Sequence, residues 1–143
     1  MEKSKAPREL AIEKSHHKFY EDLKAGRILP ELKGYDMANI FVIAMAYGVY
    51  YDEQKPIKNP QRSITTTAVQ KDFEWLIKAI AISKSKEGLD IVTNEGKIYQ
   101  LAEEYANGGI EMIEKVLKGS KPGEFKIAME KLLNKIQKKW FLD

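Results

Sequence analysis

Apolar side chains recur along the chain at helical spacing in four stretches, and in a fifth they surround it. The first stretch runs from Arg8 to Lys24, where Ile12, His16, Phe19, Tyr20 and Leu23 share one face before Gly26 and Pro30 break the pattern. Asp36 is placed to cap a second helix, "MANIFVIAMAYG", with Gly48 as its stop. That segment is apolar all round, as an element buried on most sides would be. A loop, "DEQKPIKNPQRS", leads to Thr67 and Gln70 in capping-box spacing. The helix they open carries Phe73, Leu76, Ile77, Ile80 and Ala81 on one face. After "KSKEGL" a short "DIV" reads as extended, and Thr93 or Asn94 opens the helix "EGKIYQLAEEYANGGIEMIEKVLKG". A last helix follows "GSKPG", with Phe125, Ala128, Met129, Leu132, Leu133, Ile136 and Trp140 along one side. The expected fold is mainly all-α: a compact single-domain bundle of about five helices over residues 1–143, with little or no strand and a flexible tail at 1–7.

Asn107-Gly108-Gly109 interrupts the fourth of these helices with residues that oppose helix formation. Either Asn107-Gly108 ends one helix in a left-handed residue and another begins near Gly109, or one helix runs through and the glycines face a neighbour. The phase of the apolar stripe favours the continuous helix. Leu101 plus seven is Gly108, Tyr105 plus four is Gly109, and Met112 and Ile113 follow Gly109 by three and four. Each glycine costs about 1 kcal/mol against alanine in a helix interior. Close approach of another helix would offset that cost, so Gly108 and Gly109 are expected at a helix crossing. The small residues Ala44, Ala46 and Gly48 make the second helix the candidate partner.

Composition removes several classes of function. Hydrophobic residues at 43% and charged residues at 31% describe an ordinary globular chain rather than a disordered one. The absence of cysteine excludes disulfides, zinc–thiolate sites and cysteine catalysis. The start "MEKSKAPREL" is charged and not signal-like, and the longest apolar run, "MANIFVIAMAYGVYY", is shorter than the ~20 residues of a spanning helix. A cytoplasmic protein without membrane contact is expected.

Chemical candidates are few. His16 and His17, with Glu13, could sketch a metal site, but adjacent histidines diverge by about 100° on a helix and no third ligand stands at local spacing. A partly buried His16 beside an exposed His17 is the simpler reading. Glu111–Lys115 and Glu114–Lys118 read as i, i+4 pairs on a solvated face, and Glu104, beside Tyr105, is the carboxylate with a claim to burial. Thr65 to Thr67 read as capping residues. No P-loop, dinucleotide fingerprint, nucleophile elbow, zincin or EF-hand pattern occurs. No catalytic residue, metal or cofactor is therefore expected, and no enzyme. Lys131, Lys135 and Lys138 form an i, i+4, i+7 stripe with Lys139 alongside, which could meet DNA phosphates. The net charge of +3 permits such contact without requiring it.

"YDMANIFVIAMAYGVYYDEQKPI" and "LAEEYANGGIEMIEKVL", above all "EEYANGGIE", resemble the small proteins encoded beside DNA phosphorothioation (Dnd) clusters, the fourth of the named Dnd-system-associated families. The likeness extends from about Tyr35 to Leu117. It implies an accessory of a prokaryotic DNA-modification, restriction or phage-defence system, with DNA or proteins of that system as partners. It carries no binding or catalytic residues. The alternative is a protein-interaction or homo-oligomerisation module with no nucleic-acid contact.

Overall fold

The computed structural model describes residues 5–28 and 30–118 and, further on, residues 124, 127, 130, 131, 134, 135 and 138. In chain order it contains strand β1 (Glu9–Glu13), helix α1 (His17–Lys24), helix α2 (Met37–Tyr50), strand β2 (Pro60–Thr65), helix α3 (Thr66–Lys84) and helix α4 (Glu95–Lys118). Short 3-10 turns cover Lys14–His16, Pro30–Leu32 and Gly88–Thr93, and the described positions from 124 to 138 are helical. The fold is mainly helical, with one small antiparallel sheet of two strands among the described residues.

Helix α2 is the core element. Asp36 caps it by accepting from the Asn39 N–H at 2.9 Å. Its Phe41, Ala44 and Met45 are wholly buried, and it lies along α4. Gly48 does not stop it; the helix continues to Tyr50. It ends in a Schellman turn, with the Glu53 N–H donating to the Gly48 carbonyl at 2.7 Å and the Asp52 N–H to Val49 at 3.2 Å. Asp52 takes the left-handed position at φ 55° that glycine more often fills. The turn sends the chain back over α4.

Helix α4 runs unbroken through Asn107-Gly108-Gly109, and all three residues are buried. A methyl group on Gly109 would collide with the carbonyl oxygen of Ala44, and one on Gly48 with that of Tyr105. The two helices therefore touch backbone to backbone. Gly108 serves a different neighbour: a side chain there would strike the carbonyl of Glu53 in the loop that leaves α2.

The N-terminal expectation needs correction. Residues Glu9–Glu13 are a strand, and α1 begins only at His17. Leu10, Ala11 and Ile12 are buried in succession and so need cover on both sides of the chain. A strand paired with β2 and packed on α4 supplies it. Ile12 stands in helical phase with His16 and Phe19 by coincidence of spacing. Part of the supposed loop, Pro60–Thr65, is the partner strand, so the sheet is small but present. Within the tail expected over 1–7, Ala6 packs on the core, and the Pro7 carbonyl accepts from the Thr66 hydroxyl at 2.5 Å.

Two helix starts also differ. Helix α3 begins at Thr66 after Thr65, which makes no side-chain cap bond, so the Thr67–Gln70 capping box does not open it. "DIV" lies in the 3-10 turn with Ile91 buried, and Asn94 Oδ1 then accepts from the Lys97 N–H at 3.3 Å to open α4. The apolar side expected of the last helix, Phe125 to Trp140, lies outside the described residues.

The crossing is testable. Gly109→Leu should lower unfolding free energy by roughly 3 kcal/mol or more, because a backbone carbonyl, unlike a flexible side chain, cannot step aside. Denaturant unfolding monitored by circular dichroism measures it, and an unchanged midpoint would refute the backbone contact.

Candidate functional site

Each acidic residue in the C-terminal two-thirds of α4 is tied to another part of the chain. Glu103 Oε2 accepts from the Ala11 N–H at 2.6 Å. That N–H points away from β2: the backbone bonds of Arg8 with Thr66 and of Lys14 with Asn59 turn alternate residues toward the partner strand and Ala11 outward. Burial pushes the Glu103 carboxyl above its ordinary range, against the opposing pull of the Ala11 N–H and the Arg62 charge. Glu104, the carboxylate singled out for a claim to burial, is half-buried and accepts from Gln54 Nε2 at 2.6 Å and Gln100 Nε2 at 3.4 Å.

Further along α4 the supposed solvated face is a docking face. Glu111 pairs with Lys55 at 2.6 Å, across the loop, and not with Lys115. The hydrogen bond and charge of that ammonium hold the Glu111 carboxyl below its ordinary range. Glu114 meets His16 Nδ1 at 3.3 Å and Lys118 Nζ at 2.7 Å. His17 turns away and pairs with Glu21 at 3.1 Å. The two histidines thus go separate ways, and both are partly buried. Glu13 is also committed: its two oxygens accept from the backbone N–H groups of Lys58 (3.0 Å) and Asn59 (2.6 Å). Among the described residues no group of three His, Cys, Asp or Glu could hold a metal ion.

Between these ties opens a cleft of about 720 Å³. Its floor is the α4 face bearing Asn107 and Glu111; its walls are Glu13 to His16 on one side and the Lys55–Asn59 loop on the other. Asn107, only 7% exposed, donates through Nδ2 to the carbonyls of Lys55 (3.2 Å) and Pro56 (3.3 Å). Its Oδ1 is buried without a hydrogen-bond partner. A mid-helix asparagine off the apolar stripe, one turn from both Glu103 and Glu111 and followed by two glycines, was the available signal for this site. The second half of the constellation, the loop, meets Asn107 through Lys55 and Pro56, which lie 52 and 51 residues away in the chain.

The DNA-contact candidates lie elsewhere. Lys131, Lys135 and Lys138 are helical and exposed, while Lys139 lies outside the described residues. Gly108 and Gly109 are occupied in packing, as described above. None of the described helices is long and apolar enough to cross a membrane.

Glu103 and Glu111, eight residues apart on one helix, should have opposite pH signatures. A carboxyl held above its unfolded value favours folding when protonated and loses that contribution as pH rises through the folded value. Glu103→Gln should therefore gain stability relative to the parent at neutral pH, with the gain vanishing below the ordinary carboxylate range. Glu111→Gln should lose stability at neutral pH, with the loss disappearing as pH falls through its lowered folded value. Thermal melts from pH 3 to 8 compare the slopes, and parallel curves would refute the assignment.

Comparison with curated proteins and with solved structures gives no match. The family model described as "DNA sulphur modification system-associated protein 4" matches residues 31–139. That span takes in α2, the Lys55–Asn59 loop, α3 and α4, including the buried Asn107-Gly108-Gly109. The chain belongs to this family of proteins associated with a DNA sulphur modification system.

Proposed function

We propose that this protein is a non-enzymatic accessory or regulator of a prokaryotic DNA sulphur-modification and restriction system, contacting the DNA backbone through Lys131, Lys135 and Lys138, with Lys139 adjoining. The observation that carries the reading is the exposure of the three described lysines at i, i+4 and i+7 on helical positions. Ammonium groups at that spacing lie on one side of a helix and can neutralise successive phosphates. The non-enzymatic part draws support from how the α4 carboxylates and His16 are spent. Each holds a strand, a loop or a helix in place.

Fluorescence anisotropy with duplex DNA across a salt series tests this. The parent should bind at low salt, and the slope of log affinity against log salt should fall by roughly 2 to 3 in the K131Q/K135Q/K138Q variant. Binding unaffected by the triple change, or none at low salt, would remove the DNA contact.

A second reading, a protein-interaction or oligomerisation module, is favoured by Trp75 and Leu89, exposed by 69% and 74%. Tryptophan is enriched at the energetic centres of interfaces, and an exposed leucine adds apolar area that a partner can cover. Under that reading W75S and L89S should weaken self-association in light scattering, or capture of the sulphur-modification proteins in pull-downs, by at least tenfold. The lysine changes should leave both unaffected.

A further inference from the structure

The cleft floored by Asn107 contains groups that the fold has used and groups that it has not. Used are Glu13, on two backbone amides; His16, on Glu114; and Lys55, on Glu111. Asn107 Nδ2 is used on two loop carbonyls, and this fixes the orientation of its amide. Left over are Asn107 Oδ1, which is buried and unpartnered, and the exposed ammonium groups of Lys14 and Lys58, which have no ion-pair partner among the described residues. A buried acceptor without a donor is costly to maintain, and a bound group that donates to it removes the cost.

The unspent set is one acceptor at the floor and two cations on the walls. It is complementary to a molecule with an O–H or N–H donor at one end and a doubly charged anion at the other. A phosphomonoester supplies two charges near neutral pH. A polyphosphate would bring more charge against the Glu13 and Glu111 carboxylates lining the same space. The described lining residues include no Phe, Tyr or Trp on which a nucleobase could stack, and are almost all polar, which suits a hydroxylated ring.

We infer that this cleft binds a sugar phosphate, with its phosphate between Lys14 and Lys58 and a sugar hydroxyl donating to Asn107 Oδ1. The site does not depend on the DNA-contact reading, since its residues lie outside the lysine stripe of 131–139. The same chemistry can come from a free sugar phosphate or from the 5′-phosphorylated end of an RNA strand, whose terminal ribose keeps its 2′-hydroxyl as a donor. A DNA end, esterified at O3′ and lacking O2′, has no sugar hydroxyl to offer.

Isothermal titration of the full chain with ribose 5-phosphate tests the inference, with ribose, inorganic phosphate and a 5′-phosphorylated diribonucleotide as the other probes. Ribose 5-phosphate should bind saturably, and ribose and inorganic phosphate each about tenfold or more weaker, a difference of about 1.4 kcal/mol. K14Q/K58Q should weaken ribose 5-phosphate by a similar factor while leaving the melting temperature of the free protein unchanged, because neither ammonium holds the fold. Tighter binding of the diribonucleotide would support the site with an RNA end as ligand, and weaker binding would support it with a free sugar phosphate. No saturation by about 10 mM, equal binding of inorganic phosphate, or an unaffected double variant would overturn the inference.

Discussion

Backbone-to-backbone contact between α2 and α4 is the constraint from which the rest of the structure follows. Gly109 lies against the Ala44 carbonyl and Gly48 against the Tyr105 carbonyl, so neither helix could retreat without opening a void along the core. Two helices at ordinary separation would be held apart by their side chains, about 8–10 Å between axes. Here side chains are missing where the axes come nearest, and the flanking Phe41, Met45 and Ile110 close around the contact. The intrinsic cost of two glycines in one helix is about 2 kcal/mol against alanine, which burial of a few such side chains, at roughly 1.5–3 kcal/mol each, offsets.

Once that crossing is set, the third member of the buried trio acquires its role. The Schellman turn at Asp52 directs the chain across α4 at Gly108, where only hydrogen fits beneath the Glu53 carbonyl. One residue earlier, Asn107 anchors the loop by its carbonyls at Lys55 and Pro56. The three residues thus divide the work: one binds the loop, one makes room for the loop and one makes room for the helix. The carboxylates then extend this order outward, with Glu103 holding β1 and Glu111 and Glu114 holding the loop and the N-terminal turn.

Much of this was legible in the sequence wherever the periodicity was long. The capped α2, the α3 stripe and the passage of α4 through its glycines all follow from phase, because 3.6-residue spacing sustained over several turns has few alternatives. The β1 segment was not legible. Five residues are too few to separate a period of two from a turn of helix, and Ile12 happens to fit both. The Glu114–Lys118 pair was legible from local spacing, but the long-range partners of the acidic residues were hidden for another reason. Local spacing offered Lys115 to Glu111, but the actual partner, Lys55, is reached only after the Schellman turn reverses the chain. Glu103 escaped notice because its partner is an outward-facing main-chain N–H of β1, a strand that the side-chain pattern does not announce.

The cleft and the family match divide the molecule along the same line. Lys55, Lys58, Asn107 and Glu111 lie within the matched residues 31–139, whereas Glu13, Lys14, Ser15 and His16 precede them. The floor and one wall therefore come from the part that places the chain in its family, and the other wall from β1 and the turn after it. Those two parts are joined by contacts that meet at the cleft itself: Glu13 on the Lys58 and Asn59 amides, the Lys14 N–H on the Asn59 carbonyl, and His16 on Glu114. A group bound between Lys14 and Lys58 would bridge the same seam. Occupancy of the cleft would then bear on how firmly the N-terminal strand and turn are held to α4, and fold and ligand would be linked through a shared set of hydrogen bonds.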